Sequence, residues 1–107
     1  MKVTNSIAMV IIMGRVCWLC GANGSFDRLE RHHIFSAHNR KHSEKYELIV
    51  WLCGVNCHRL GRNAAHVSAE TNLKLRQYGQ RKFMHEQNAS VADFVDIFRK
   101  NYLDEGW

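Results

Sequence analysis

The chain has no proline, and it shows no proline-rich linker, low-complexity tract or internal repeat that would divide it. Long hydrophobic runs are missing too. The apolar stretch from Ile7 to Met13 falls well short of the ~20 residues a membrane span needs. With one lysine ahead of it and no small-residue cleavage site before Cys17, it is also a poor signal peptide. The sequence therefore predicts a cytoplasmic protein, with no membrane partner and with thiols kept reduced. Acidic residues are fewer than basic ones, 10 against 15, for a net charge of +5 with histidines neutral. A basic surface attracts polyanions, of which nucleic acid is the commonest. A solvated helix face is the plain alternative.

What is present fits one small domain, at the short end of the usual ~100–150 residues. A chain of 107 residues has a thin core, and a metal clip would help it fold. Residues 1–12 differ in character from the rest of the chain, and Met13-Gly14-Arg15-Val16-Cys17 reads as a natural start. The expectation is a dispensable extension over 1–12 and a domain over 13–107.

The four cysteines fall in two close pairs. Cys17-x2-Cys20 is followed, after 32 residues, by Cys53-x3-Cys57, and glycine follows Cys20 and Cys53. Two thiolate pairs on tight turns are what a tetrahedral zinc site needs. Four sulfurs leave no open position, so this zinc would be structural. Disulfides suit a reduced compartment poorly, and a catalytic Cys-x-x-Cys would leave the second pair unexplained. The x3 spacing calls for a slightly wider turn.

Histidine is concentrated rather than spread. Of seven, only His85 lies outside the stretch from His32 to His66. The run from Glu47 to Leu52 is rich in β-formers, and Leu29 to Phe35 can make a shorter strand. Ser36 to Tyr46 reads as a polar loop. Helix formers dominate from Glu70 to Gln87, with Ser68 as cap. Ser90-x-x-Asp93 resembles a capping pattern for a last helix, in which Val91, Phe94, Val95 and Phe98 recur at core spacing. Trp51, alternating within its strand, is expected in the core. Trp18, inside the first cysteine pair, is placed to cover the metal, and Trp107 is terminal and uninformative.

The order Cys-x2-Cys, His-His-Ile, Leu-Cys-x3-Cys-His resembles the HNH endonucleases, and most closely the small HNH proteins of bacteriophages and prophages. "RHHIF", "NRKHSEKY", "LIVWLC", "CHRLG", "YGQRKF" and "FRKNYL" carry the likeness, which spans residues 14–103. It implies an α+β fold: a small ββα-metal domain stapled by Cys17, Cys20, Cys53 and Cys57. The zinc turns and ββα core would occupy 14–67 and a tail of two helices 68–103. It also implies hydrolysis of DNA phosphodiester bonds in a bacterial host cell.

The resemblance implies roles residue by residue. His33 matches the general base, His32 the metal ligand from the first strand, and His58 the second ligand. Neighbouring residues point in different directions, so Cys57 can face the zinc while His58 faces a catalytic metal. His66 is a third candidate ligand, a phosphate contact or a plain surface histidine. The asparagine of the family's name would fall at Leu48, so Asn39 is the substitute expected to orient the loop or the base. Arg40, Lys41, Arg59 and Arg62 are read as phosphate contacts, with Lys74, Arg76, Arg81 and Lys82 extending the footprint. A neutral imidazole suits a base near pH 7, and the expected products are a 5′-phosphate and a 3′-hydroxyl. The catalytic ion would be Mg²⁺, Mn²⁺, Ni²⁺ or Zn²⁺. Double-stranded DNA is the expected partner, with phage packaging or recombination proteins as further ones and the oligomeric state open. The competing reading is a non-catalytic zinc-ribbon module that binds nucleic acid or serves phage assembly.

Overall fold

The computed structural model describes residues 15–103. The extension expected over 1–12 and Trp107 lie outside the described residues. The architecture is mixed α and β. Strand β1 (Leu29–His33) is followed by a short helical turn at Ala37–Asn39, helix α1 (Arg40–Lys45), strand β2 (Ile49–Cys53), a π-helical turn (Gly54–Arg59), helix α2 (Ala69–Glu86) and helix α3 (Val91–Phe98). The strands pair into one sheet. Ile34 N–H donates to Leu48 O at one end and Gly54 N–H to Arg28 O at the other, so early residues of β1 lie beside late residues of β2 and the strands run antiparallel. Among the described residues no helix is long and apolar enough to cross a membrane.

The chain divides into two compact units, one including residues 15–32 and 50–67, the other 33–49 and 68–103. Segment 33–49 thus belongs to the unit that holds α2 and α3, and the cysteine turns to the other.

In the first unit the buried apolar side chains are Val50, Leu52, Ala64 and Ala65, beside Cys17, Cys53 and Cys57. Trp51 is not in this core. It is half-buried between buried Val50 and Leu52, as strand alternation requires, and the Arg15 guanidinium lies 4.1 Å from its ring centroid.

In the second unit aromatic rings dominate. Phe94 and Phe98 stack at 4.4 Å, Phe35 lies 4.8 Å from Phe98, and Tyr46 meets Phe83 edge-on at 4.9 Å. Helix α2 comes close to this cluster because residue 79 is glycine: a Cβ there would sit 2.8 Å from Ile34 Cγ2 and 2.9 Å from Phe35 Cε2. Ser68 Oγ accepts from Thr71 N–H at 3.1 Å and starts α2. Ser90 and Asp93 form a reciprocal capping box that starts α3. Phe94 and Phe98 of α3 are buried, while Val91 and Val95 are only half-buried.

The segment from Ser36 to Tyr46 is not a loop. It contains the turn Ala37–Asn39 and all of α1. Six polar residues carry no apolar period to read; what makes them helical is tertiary. Ser43 has no exposed surface, accepts from Phe35 N–H at 3.0 Å and donates to Phe35 O at 2.7 Å. Leu48, where the resemblance would place an asparagine, is a fully buried core residue.

Candidate functional site

The first cysteine turn is local. Cys17 N–H donates to Ala22 O and Gly21 N–H to Cys17 O, both at 2.8 Å, and Gly21 takes the left-handed φ of +82° that this closure needs. Trp18 is half-buried, and its N–H donates to Trp51 O at 2.8 Å, which ties the turn to β2. The second turn is π-helical, closed by Leu60 N–H donating to Val55 O at 2.8 Å, a five-residue span. Asp27 holds its start: Oδ1 accepts from Val55 N–H at 3.0 Å and Oδ2 from Asn56 N–H at 2.8 Å. These two bonds keep the Asp27 carboxyl below its ordinary range.

Cys17, Cys20, Cys53 and Cys57 all carry free thiols, and their Sγ atoms lie within 4.8 Å of one another. Cys20 Sγ is 3.6 Å from Cys53 Sγ. Zinc at ~2.3 Å from four tetrahedral sulfurs sets them ~3.8 Å apart, so the cluster can hold a metal such as zinc. Cys20 N–H donates to Cys17 Sγ at 3.4 Å, and Asn56 Nδ2 donates to Cys57 Sγ at 3.7 Å. Burial opposes ionisation of Cys17, but backbone N–H groups led by that of Cys20 outweigh it and bring the thiol down to about 7. Burial and the neighbouring cysteines push Cys53 up to about 12, and Cys57 rises for the same reasons. Without a cation, therefore, the cluster resists carrying more than one thiolate, and binding a dication would release the remaining protons.

A second cluster lies in the same unit. His32, His58 and His66 each offer a ring nitrogen, all within 4.8 Å of one another. His66 is eight residues beyond His58 in sequence but close in space, because His66 N–H donates to His58 O at 3.0 Å and Ala65 N–H to Cys57 O at 2.8 Å. Their ring centroids are 4.6 Å apart, and His32 lies 5.1 Å from His58. Burial, and then the nearby His58, keep the His66 pKa below 6.5, which favours the neutral, ligating form. The Nε2 of His32 is shut off from solvent. A ~2.1 Å Zn–N shell needs donors ~3.4 Å apart, and nitrogens within 4.8 Å of one another make the three rings a group that could hold an ion.

Glu30, which sequence reasoning missed, orients this cluster. His58 Nδ1 donates to Glu30 Oε1 at 2.8 Å, which leaves Nε2 as the ring atom free to ligate, the carboxylate–histidine arrangement common around metals. That bond keeps the Glu30 carboxyl below its ordinary range. Gly54 makes room for it, since a Cβ there would meet Glu30 Cδ at 2.8 Å. A signal was present: Glu30 is two residues before His32, so the two share a strand face. Arg59 belongs to this group, donating from Nε to Gly54 O at 2.9 Å and lying 3.5 Å from Glu30. Arg62 is exposed.

The remaining candidates lie in the second unit. His33 Nε2 donates to Glu44 Oε2 at 2.5 Å. Asn39 is buried and donates from Nδ2 to Phe98 O at 3.2 Å. It thus anchors the 36–46 segment to the end of α3, while the acceptor on the His33 ring is Glu44. Arg40 and Lys41 are exposed on α1. The basic stripe expected on α2 is largely engaged within the chain. Lys74 is 3.6 Å from Glu70, Lys82 bonds to Glu86 at 3.1 Å and to Glu47 O at 3.0 Å, and Arg76 lies over Tyr102 at 5.5 Å. Arg81 is exposed.

The chain matches no protein-family profile, no curated protein and no solved structure.

Proposed function

We propose that the protein is a metal-dependent endonuclease of the HNH type, built on a ββα-metal core, that hydrolyses phosphodiester bonds in double-stranded DNA. The observation that carries this reading is the meeting of His32, His58 and His66 beside a separate four-cysteine cluster. A structural metal accounts for the cysteines. It gives no reason for three imidazoles to converge, or for a carboxylate to orient one of them.

His32, His58 and His66 would hold the catalytic ion, and their nitrogens favour a transition metal. When bound, that ion supplies positive charge to offset what builds on the phosphate oxygens. His33 follows His32 directly in β1 and takes a proton from the attacking water. Exposed Arg40, Lys41 and Arg62, together with Arg59, bind backbone phosphates without reading bases.

Metal content separates this reading from a zinc-ribbon binding module. Purified protein should hold one metal tightly and a second more weakly, and His58→Ala should remove only the second. One metal per chain in both proteins would favour the binding module.

A further inference from the structure

We propose that Glu44 is a positioning residue for His33. Its carboxylate holds the imidazole in the tautomer protonated at Nε2, which makes Nδ1 the basic atom. This rests on the reading of His33 as the general base and adds to it the atom that acts and the group that selects it.

The contact is fixed by backbone on both sides. His33 is the last residue of β1, and the chain continues into buried Ile34 and Phe35. Ser43 exchanges two hydrogen bonds with the Phe35 backbone, at 3.0 and 2.7 Å, and its own carbonyl accepts from Leu48 N–H at 2.8 Å. The start of the segment after β1 is thus fastened to α1 through one buried hydroxyl. Glu44 is the next residue after that hydroxyl. It meets the ring of His33, two residues before the Phe35 that Ser43 grips. The His33 side chain is 13 % exposed and that of Glu44 47 %, so the carboxylate reaches a largely buried ring from the solvent side.

The chemistry follows from the donor inventory. An ionised carboxylate only accepts, so the His33 nitrogen facing it carries hydrogen. A neutral imidazole has one N–H and one lone pair, and the lone pair then lies on Nδ1. In the hydrolysis, water gives one proton to Nδ1 and its oxygen forms the new bond to phosphorus. The bond from phosphorus to the 3′ oxygen breaks, and that oxygen takes a proton from solvent. The imidazolium formed carries two N–H groups, one still on Glu44, whose negative charge stabilises it. Glu44 is exposed and meets the ring through one side-chain hydrogen bond, a modest structural device, so removing Glu44 should leave the fold intact.

The test uses the full, metal-loaded chain. ¹⁵N NMR of the His33 ring at a fixed alkaline pH should show the Nε2-protonated tautomer in wild type and Glu44→Gln, and a mixture in Glu44→Ala. In DNA cleavage, Glu44→Ala should lower kcat about 10–100-fold, the usual cost of losing such an outer partner, with KM unchanged. Glu44→Gln, which keeps an acceptor, should lose less. An unchanged tautomer or an unchanged kcat in Glu44→Ala would overturn the inference while leaving the nuclease reading in place. Failure of wild type to cleave DNA with any divalent metal would overturn both.

Discussion

In the unit built from 15–32 and 50–67 the buried apolar side chains are Val50, Leu52, Ala64 and Ala65 beside three cysteines, whereas in that built from 33–49 and 68–103 they include Phe35, Phe83, Phe94 and Phe98. Each phenylalanine buries on the order of 150–250 Å², and a second unit with four of them holds its elements together by packing. Among the described residues the first unit has no fully buried aromatic ring. Its two turns meet at sulfur, and its histidines meet at nitrogen. A small unit with little apolar area gains much from a metal clip, and the four-cysteine cluster could supply one. The two units thus differ in what they offer for stability: one gathers side chains that could hold a metal, the other buries aromatic rings.

The largest expected effect comes from removing the metal. Structural zinc binding contributes on the order of 10–16 kcal/mol in small domains. Stripping it with a chelator, or Cys57→Ser, should unfold the cysteine unit while α2 and α3 persist. Amide exchange read residue by residue checks this, and loss of protection in α2 together with the cysteine turns would break the comparison. Next in size is Phe98→Ala. Truncating a buried phenylalanine costs about 3–5 kcal/mol, and Phe98 also stacks on Phe94 and meets Phe35. Thermal melting should show the loss in the helical unit, with bound zinc per chain unchanged; loss of zinc would break the comparison.

The smallest effect is a pH dependence. Burial, then the charges of Lys41, Lys45 and His38, hold the His42 pKa below 6.5. The ring is therefore neutral in the fold, while in the unfolded chain it takes up a proton near pH 6.5. Its contribution is complete above that pH and is lost as the pH falls below it. His42→Gln should flatten the acid-side decline in stability of the helical unit. An unaltered decline would mean that other groups cause it.

Much of this was legible in the chain itself, for identifiable reasons. The cysteine pairs announce themselves by spacing, and Ser68 and Ser90 mark the starts of α2 and α3 because N-capping is a local interaction. Helix α1 was not legible, since what holds it is Ser43 gripping Phe35, a contact no periodicity encodes. Trp51 was misplaced by one step of strand alternation. A run apolar on both faces does not say which face is the core, and Val50 and Leu52 take it. Glu30 was within reach, since strand alternation alone puts it on the same face as His32, two residues on. Glu44 was out of reach because its meeting with His33 depends on α1. His66 could be named as a candidate yet not placed, for its approach to His58 rests on backbone bonds between 57–58 and 65–66.

The most direct test of the central claim is cleavage of supercoiled plasmid by purified protein, wild type beside His33→Ala, with Mg²⁺, Mn²⁺, Ni²⁺ and EDTA in separate reactions. The account predicts nicking by wild type with at least one of these metals, none in EDTA, and none by the variant although it keeps its fold and its zinc. Protein that binds the plasmid and carries zinc but cuts it under none of these conditions would contradict the account.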